Sequence, residues 1–184
     1  MKQVADGVIV AHCHTHCVNL AVRDAVKSNP ILRDFLHLMQ EMITFLRDSP
    51  KRSAIVRNVA QSLDCPQNQI RPLCPTRFTV KYNALHYFES QLEVVGDTLQ
   101  EITDCSNDSK VASTCSGFVK RMWQFDFFFS LKLSTFLFEV TDRLSSALQN
   151  PSISVGQSTK LVGHAVNELS NHRDRFDNFW DDVE

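Results

Sequence analysis

Glycine and proline are scarce in this chain: 5 Gly and 6 Pro in 184 residues. That scarcity argues against a loop-rich β-sandwich and for long helices. Trp and Tyr are also few, two of each, against 13 Phe. Phe has no polar handle, so the aromatic content reads mainly as core filler. No long uncharged apolar run exists. The most apolar stretch, Phe125–Val140, is interrupted by Asp126, Lys132 and Glu139, too short and too charged for a membrane span. Met1–Val10 contains Lys2 and Asp6 and has no extended apolar core, unlike a signal peptide. G-x-S-x-G, G-x-x-x-x-G-K, C-x-x-C and H-E-x-x-H are all missing, so the usual nucleophile, phosphate-loop, redox and zinc-hydrolase signatures give no support to an enzyme.

What is present fits one folded domain. The chain is 43% hydrophobic and 22% charged with a net charge of −2, an ordinary globular balance. Six cysteines occur, at 13, 17, 65, 74, 105 and 115. Without a secretory signal, free thiols in a reducing compartment are the expectation. Charge is unevenly spread: residues 21–83 carry 10 Lys/Arg and 5 Asp/Glu, residues 84–184 carry 8 and 15. Only the first half could therefore supply the positive field of a nucleic-acid binder.

The periodicities predict a mainly α helical bundle with one short N-terminal strand. Val8, Ile9 and Val10, followed by alternating His12, His14, His16 and Cys13, Thr15, Cys17, read as a strand ending near residue 13. Val18–Val26 reads as a short helix stopped by Asn29-Pro30. Ile31, Phe35, Leu38, Met42, Phe45 and Leu46 form the stripe of the next helix, and Ser49-Pro50 opens another with Ile55, Val56, Val59, Ala60 and Leu63. Asp64–Pro75 is a loop long enough to suggest a role. Val80, Ala84, Phe88, Leu92, Val95, Leu99 and Ile102 predict one long helix over 79–104. A weaker helix covers 111–123. A nearly all-apolar helix at 125–149 has its densest face at Phe129, Leu133, Phe136, Val140, Leu144 and Leu148. The last helix, 154–180, turns Val162, Ala165, Leu169, Phe176 and Phe179 inward. A lone strand leaves its backbone groups unpaired, which suggests a piece of something larger.

Two clusters could carry chemistry. In His12–Cys17 the zinc-ligand types crowd into six consecutive residues, too short a run to surround one ion, and Cys65 and Cys74 are nine apart, unlike a zinc knuckle. The reading is therefore no metal and no cofactor. In Leu73-Cys74-Pro75-Thr76-Arg77-Phe78, Thr76 suits a helix cap. Arg77 would then face the positive end of the helix dipole and require a carboxylate, a phosphate or an aromatic face as its partner.

Taken together, four segments resemble the hAT transposase superfamily, nearest to its zinc finger MYM-type-like domesticated relatives and the repressor-of-kinase-inhibitor group. Cys13, His16, Asn19 and Leu20 stand at the places of the family's C-x-x-H followed by Asn-Leu. Phe45–Arg52 is similar to its helix ending in Ser-x-Lys-Arg. Cys74-Pro75-Thr76-Arg77-Phe78 resembles C-x-T-R-W, with Phe78 where the family has Trp. Leu137–Gln149 is similar to its Leu-Ser-x-x-Leu-Gln helix. The resemblance implies an RNase H-like α/β core interrupted by an all-helical insertion, with residues 1–28 a remnant of the core (strand plus helix) and 29–184 the insertion-type domain. It implies that two of the three metal-binding carboxylates lie before Met1, and no residue here matches the third, so the chain is expected to be no enzyme. It implies a nuclear protein with weak, salt-dependent DNA binding through Cys13, His16, Arg77 and Phe78, flanked by Arg71 and Lys81. The competing expectations are a helical protein–protein module and a truncated mobile-element product without a selected function.

Overall fold

The computed structural model of the chain describes residues 14–65, 69–73 and 81–174. Helices take up 84% of these, and no strand occurs among them. The eight helices among the described residues are α1 (His14–Ser28), α2 (Pro30–Arg47), α3 (Pro50–Ser62), α4 (Lys81–Ser90), α5 (Leu92–Asp104), α6 (Ser109–Met122), α7 (Phe125–Leu148) and α8 (Val155–Asp174).

Local chemistry sets most helix starts. Asn29 accepts a hydrogen bond from the Leu32 N–H at 3.1 Å, and Ser49 accepts one from Arg52 N–H at 3.4 Å. Both caps are followed by Pro at the first helical position, where its missing N–H costs nothing. Asp108 caps α6 through the Lys110 N–H at 2.8 Å. At α8, Ser154 accepts from the Gln157 N–H at 3.2 Å while the Gln157 side chain accepts from the Ser154 N–H at 2.8 Å. This is a reciprocal capping box with Gln at the far position.

Around α7 the bundle closes, with α1, α2, α4, α6 and α8 all packed on it, while α5 packs against α3 and α6. The main core joins Val22 and Val26 of α1 to Phe35, Met39, Met42 and Leu46 of α2, Leu85, Tyr87 and Phe88 of α4, and Phe127, Leu131 and Phe138 of α7. Each such side chain contributes about 1.5–3 kcal/mol relative to exposure. Thr15 ties α1 to α7 by donating to the Ser145 carbonyl at 3.5 Å.

The expected helical bundle is present; several details differ. The strand expected at residues 8–13 lies outside the described residues. The alternating His/Cys run is helical from His14 on, four residues before the expected helix start. On α2 the buried face is Leu32, Phe35, Leu36, Met39, Met42, Ile43 and Leu46, and Ile31 is 69% exposed.

The single helix expected over 79–104 is two, broken at Gln91, whose backbone (φ −129°, ψ 34°) leaves the helical region. The Ser90 hydroxyl donates back to the His86 carbonyl at 2.7 Å, a side-chain bond that competes with the ladder and bends helices. The break lets α4 lie on α7 while α5 turns to α3 and α6.

On α7 the buried side chains include Ser130, Leu131, Ser134, Thr135, Phe138, Thr141 and Ser145. Of the bulky face expected, Val140 and Leu148 are buried, Phe129, Phe136 and Leu144 are partly buried and Leu133 is 37% exposed. A helix packed by five others buries more than one side, so small hydroxyl residues are covered along with Phe127, Leu131, Phe138, Val140 and Leu148. In α8, Ala165 is buried, but Val162 is exposed; Phe176 and Phe179 lie outside the described residues.

Candidate nucleic-acid interface

Three of the six expected contact residues, Cys13, Arg77 and Phe78, lie outside the described residues. His16 is exposed in the first turn of α1. Lys81 opens α4, half-buried, with its ammonium 5.7 Å from the centre of the Phe138 ring of α7. Arg71 is exposed beside the buried Ile70. Both α1, which carries His16, and α4, which carries Lys81, pack on α7, whereas Arg71 follows α3.

The surroundings of Lys81 are of mixed charge. Next to it, Tyr82 stacks on His86 with ring centres 5.5 Å apart. Burial, together with the nearby carboxylates of Glu139, Glu89 and Asp142, pushes the Tyr82 hydroxyl up, with Arg143 opposing. Glu89 also pairs with Lys132 at 3.6 Å, and Arg143 pairs with Glu168 of α8. Carboxylates this close weaken the local positive field that a phosphate would need.

The α2–α3 corner has the opposite character. Asp48 and Ser49 connect the two helices, and the corner is locked from within. The Arg52 Nε donates to the Phe45 carbonyl at 2.6 Å, with its guanidinium stacked 4.1 Å above the Phe45 ring. The Ser53 hydroxyl donates to the Leu46 carbonyl at 3.2 Å. Asp48 N–H donates to the Thr44 carbonyl at 2.9 Å. Last-turn carbonyls of α2 that would otherwise repel an anion are thereby engaged.

Beside this corner lies a recess of about 250 Å³, lined by Leu46 and Arg47 of α2, Ser53, Val56 and Arg57 of α3, and Gln69 and Ile70 from the segment after α3. Leu46, Val56 and Ile70 are buried and form its apolar floor. Arg47 and Arg57 are exposed, and among the described residues neither they nor Arg71 form an ion pair. Residues 47–71 carry five cations, Arg47, Lys51, Arg52, Arg57 and Arg71, against two carboxylates, Asp48 and Asp64. Guanidinium groups offer a planar fork of donors suited to phosphate oxygens.

Reading the sequence missed Arg47, Ser53, Arg57 and Gln69. Their signal was the +5 balance of residues 21–83, which located the charge on the chain but not its convergence. Residues 47, 57 and 69 border one recess only because α3 packs back on α2.

Of the cysteines, Cys17 and Cys105 are exposed, Cys65 is half-buried and Cys115 is buried, all as free thiols. Cys13 and Cys74 lie outside the described residues. Among the described residues no group of three His, Cys, Asp or Glu side chains is placed to hold a metal ion, and no helix is long and apolar enough to cross a membrane. No protein-family model matches the chain, and no solved structure matches it.

Proposed function

We propose that this chain is a non-catalytic, transposase-derived helical module that binds nucleic acid weakly through phosphate contacts on the α2–α3 corner. The observation that carries the reading is the recess with Arg47 and Arg57 on its rim, Arg71 beside it, and no carboxylate engaging any of the three among the described residues. The descent, the RNase H-like remnant in residues 1–28 and a nuclear place of action rest on the resemblance to the hAT superfamily. They are part of the same proposal. Exposed phosphate contacts supply sequence-independent binding in the range of ~10⁻⁴–10⁻⁶ M at physiological salt. Fluorescence anisotropy with a labelled 20-base-pair duplex, read across a salt series, is the test. The wild-type slope of log affinity against log salt is expected to become shallower by about one for each of Arg47→Ala and Arg57→Ala. A folded double variant that binds the duplex as the wild type does would overturn the reading.

A second reading, a protein–protein module, is favoured by one observation. Val155, Val162 and Val166 of α8 are exposed, and isolated apolar residues become meaningful when they share a face. Val162 and Val166 are four residues apart and lie on one side of the helix. Binding to a protein partner through this face would be lost with Val166→Asp and be little affected by salt.

A further inference from the structure

We infer that the groove between α2 and α6 is the contact surface of a two-fold dimer, in which each chain receives a second copy of itself. The inference concerns a different side of α2 from the α2–α3 recess and stands apart from the phosphate-directed reading.

The groove has a volume of about 440 Å³; Asp34, Leu38 and Glu41 line it from α2, and Phe118 and Arg121 from α6. Leu38 and Phe118, both half-buried, supply its apolar centre. Phe45 of α2 meets the Phe118 ring edge-on, with centres 5.5 Å apart. Along α2, Ile31, Asp34, Leu38 and Glu41 follow at spacings of three, four and three residues, which places them on one side of the helix. Ile31 is 69% exposed, so the apolar strip runs on along α2 past the groove.

The charges on the two walls are opposite. Asp34 and Glu41 are the only carboxylates of α2, and both line the groove, whereas Arg47 borders the α2–α3 recess instead. Helix α6 contains Lys110, Lys120 and Arg121 and no Asp or Glu. The walls do not neutralise each other. Asp34 pairs with Arg33 at 2.9 Å and Glu41 with His37 at 3.6 Å, neighbours on their own helix. Arg121 forms no ion pair among the described residues. Exposed pairs of this kind contribute little, so the two carboxylates can exchange their partners for an incoming cation.

Opposite charges on either side of an apolar centre make a self-complementary patch. A second copy turned by 180° sets its α6 against the first chain's α2 and its α2 against the first chain's α6, so each acid–base contact forms twice. A patch of one sign would repel its own copy. A peptide of one sign would match one wall of this groove and be repelled by the other.

Light scattering on the full chain across a concentration series tests this. The wild-type mass is expected to rise toward that of two chains. Glu41→Arg and Arg121→Glu, each checked for fold by circular dichroism, should each weaken association at least about tenfold, because each reversal opposes like charges twice. Mixing the two variants should restore association, since one then presents a more basic groove and the other a more acidic one. Val166→Asp, on α8, should leave association unchanged. A wild-type mass of one chain at every concentration would overturn the inference. So would a dimer that both charge reversals leave intact, a mixture of the two variants that stays monomeric, or a dimer that Val166→Asp abolishes.

Discussion

At the residue scale, Tyr87 shows burial without compensation. Its ring is fully buried on α4 and its hydroxyl finds no hydrogen-bond partner among the described atoms. Burial, with the Cys65 thiol adding to it, pushes the hydroxyl up to about 12 from the usual 10. A buried hydroxyl without a partner costs on the order of 1–3 kcal/mol, so Tyr87→Phe should leave thermal stability at pH 7 unchanged or raise it. The sign with pH follows by linkage. Between pH 10 and 12 the unfolded chain gives up the phenolic proton while the folded chain keeps it, so stability falls as pH rises. Denaturant titrations from pH 9 to 11 should show a steeper loss for the wild type than for Tyr87→Phe. Cysteine chemistry follows exposure in the same way. Cys17 and Cys105 should react quickly with a thiol reagent, whereas Cys115, buried and with its thiol pushed up by that burial, should react only on unfolding. A native-state trace in which Cys115 reacts as fast as Cys105 would contradict the packing of α6.

At the element scale, the glycines in exposed helix positions are a reserve of stability. A methyl group added at Gly117 of α6 or Gly163 of α8 meets nothing within 4 Å. Helical Gly is less favourable than Ala by roughly 0.5–1 kcal/mol, so Gly117→Ala and Gly163→Ala should each raise the unfolding free energy by that amount, seen as a higher denaturation midpoint. A loss of stability in either variant would mean that its helix is packed against something in solution. The helices themselves were largely legible, because their starts are written in adjacent residues: Asn29-Pro30, Ser49-Pro50 and Ser154 with Gln157 act within one turn. The break at Gln91 was not. The apolar spacing through Val80–Ile102 is continuous across it, and the bend depends on the Ser90 hydroxyl turning back on the chain and on separate docking sites for α4 and α5. The inward side of α7 was legible only in part, at Val140 and Leu148, for a related reason. Counting bulky residues locates hydrophobic area, but a helix surrounded by five others also buries Ser130, Ser134, Thr141 and Ser145.

At the scale of the whole molecule, α7 is the axis on which five other helices pack. Phe138 is fully buried in it, within the main core, so Phe138→Ala should cost about 3–5 kcal/mol, large against the ~5–15 kcal/mol that holds a typical domain folded. Helices α1, α2, α4 and α7 share one core cluster, so they should unfold in a single transition, as small domains do. Loss of near-ultraviolet and far-ultraviolet circular dichroism at different temperatures in the wild type would contradict that shared core.

The sequence by itself determined the helical class, most helix boundaries and the half of the chain that carries excess positive charge. These depend on the scarcity of Gly and Pro, on capping within a turn and on counting charges, all of which are local or additive. Tertiary structure alone decided how much more of α7 than its bulky face is buried, where the long apolar stripe breaks, and which cations border one recess. Arg47, Arg57 and Gln69 are separated by 10 and 12 positions in the chain, and no periodicity links them. They border one recess because the capped turn at Asp48-Ser49 folds α3 back against α2. Lys81 carries the same charge but is carried by α4 onto α7, among carboxylates, because its helix has a different face to bury.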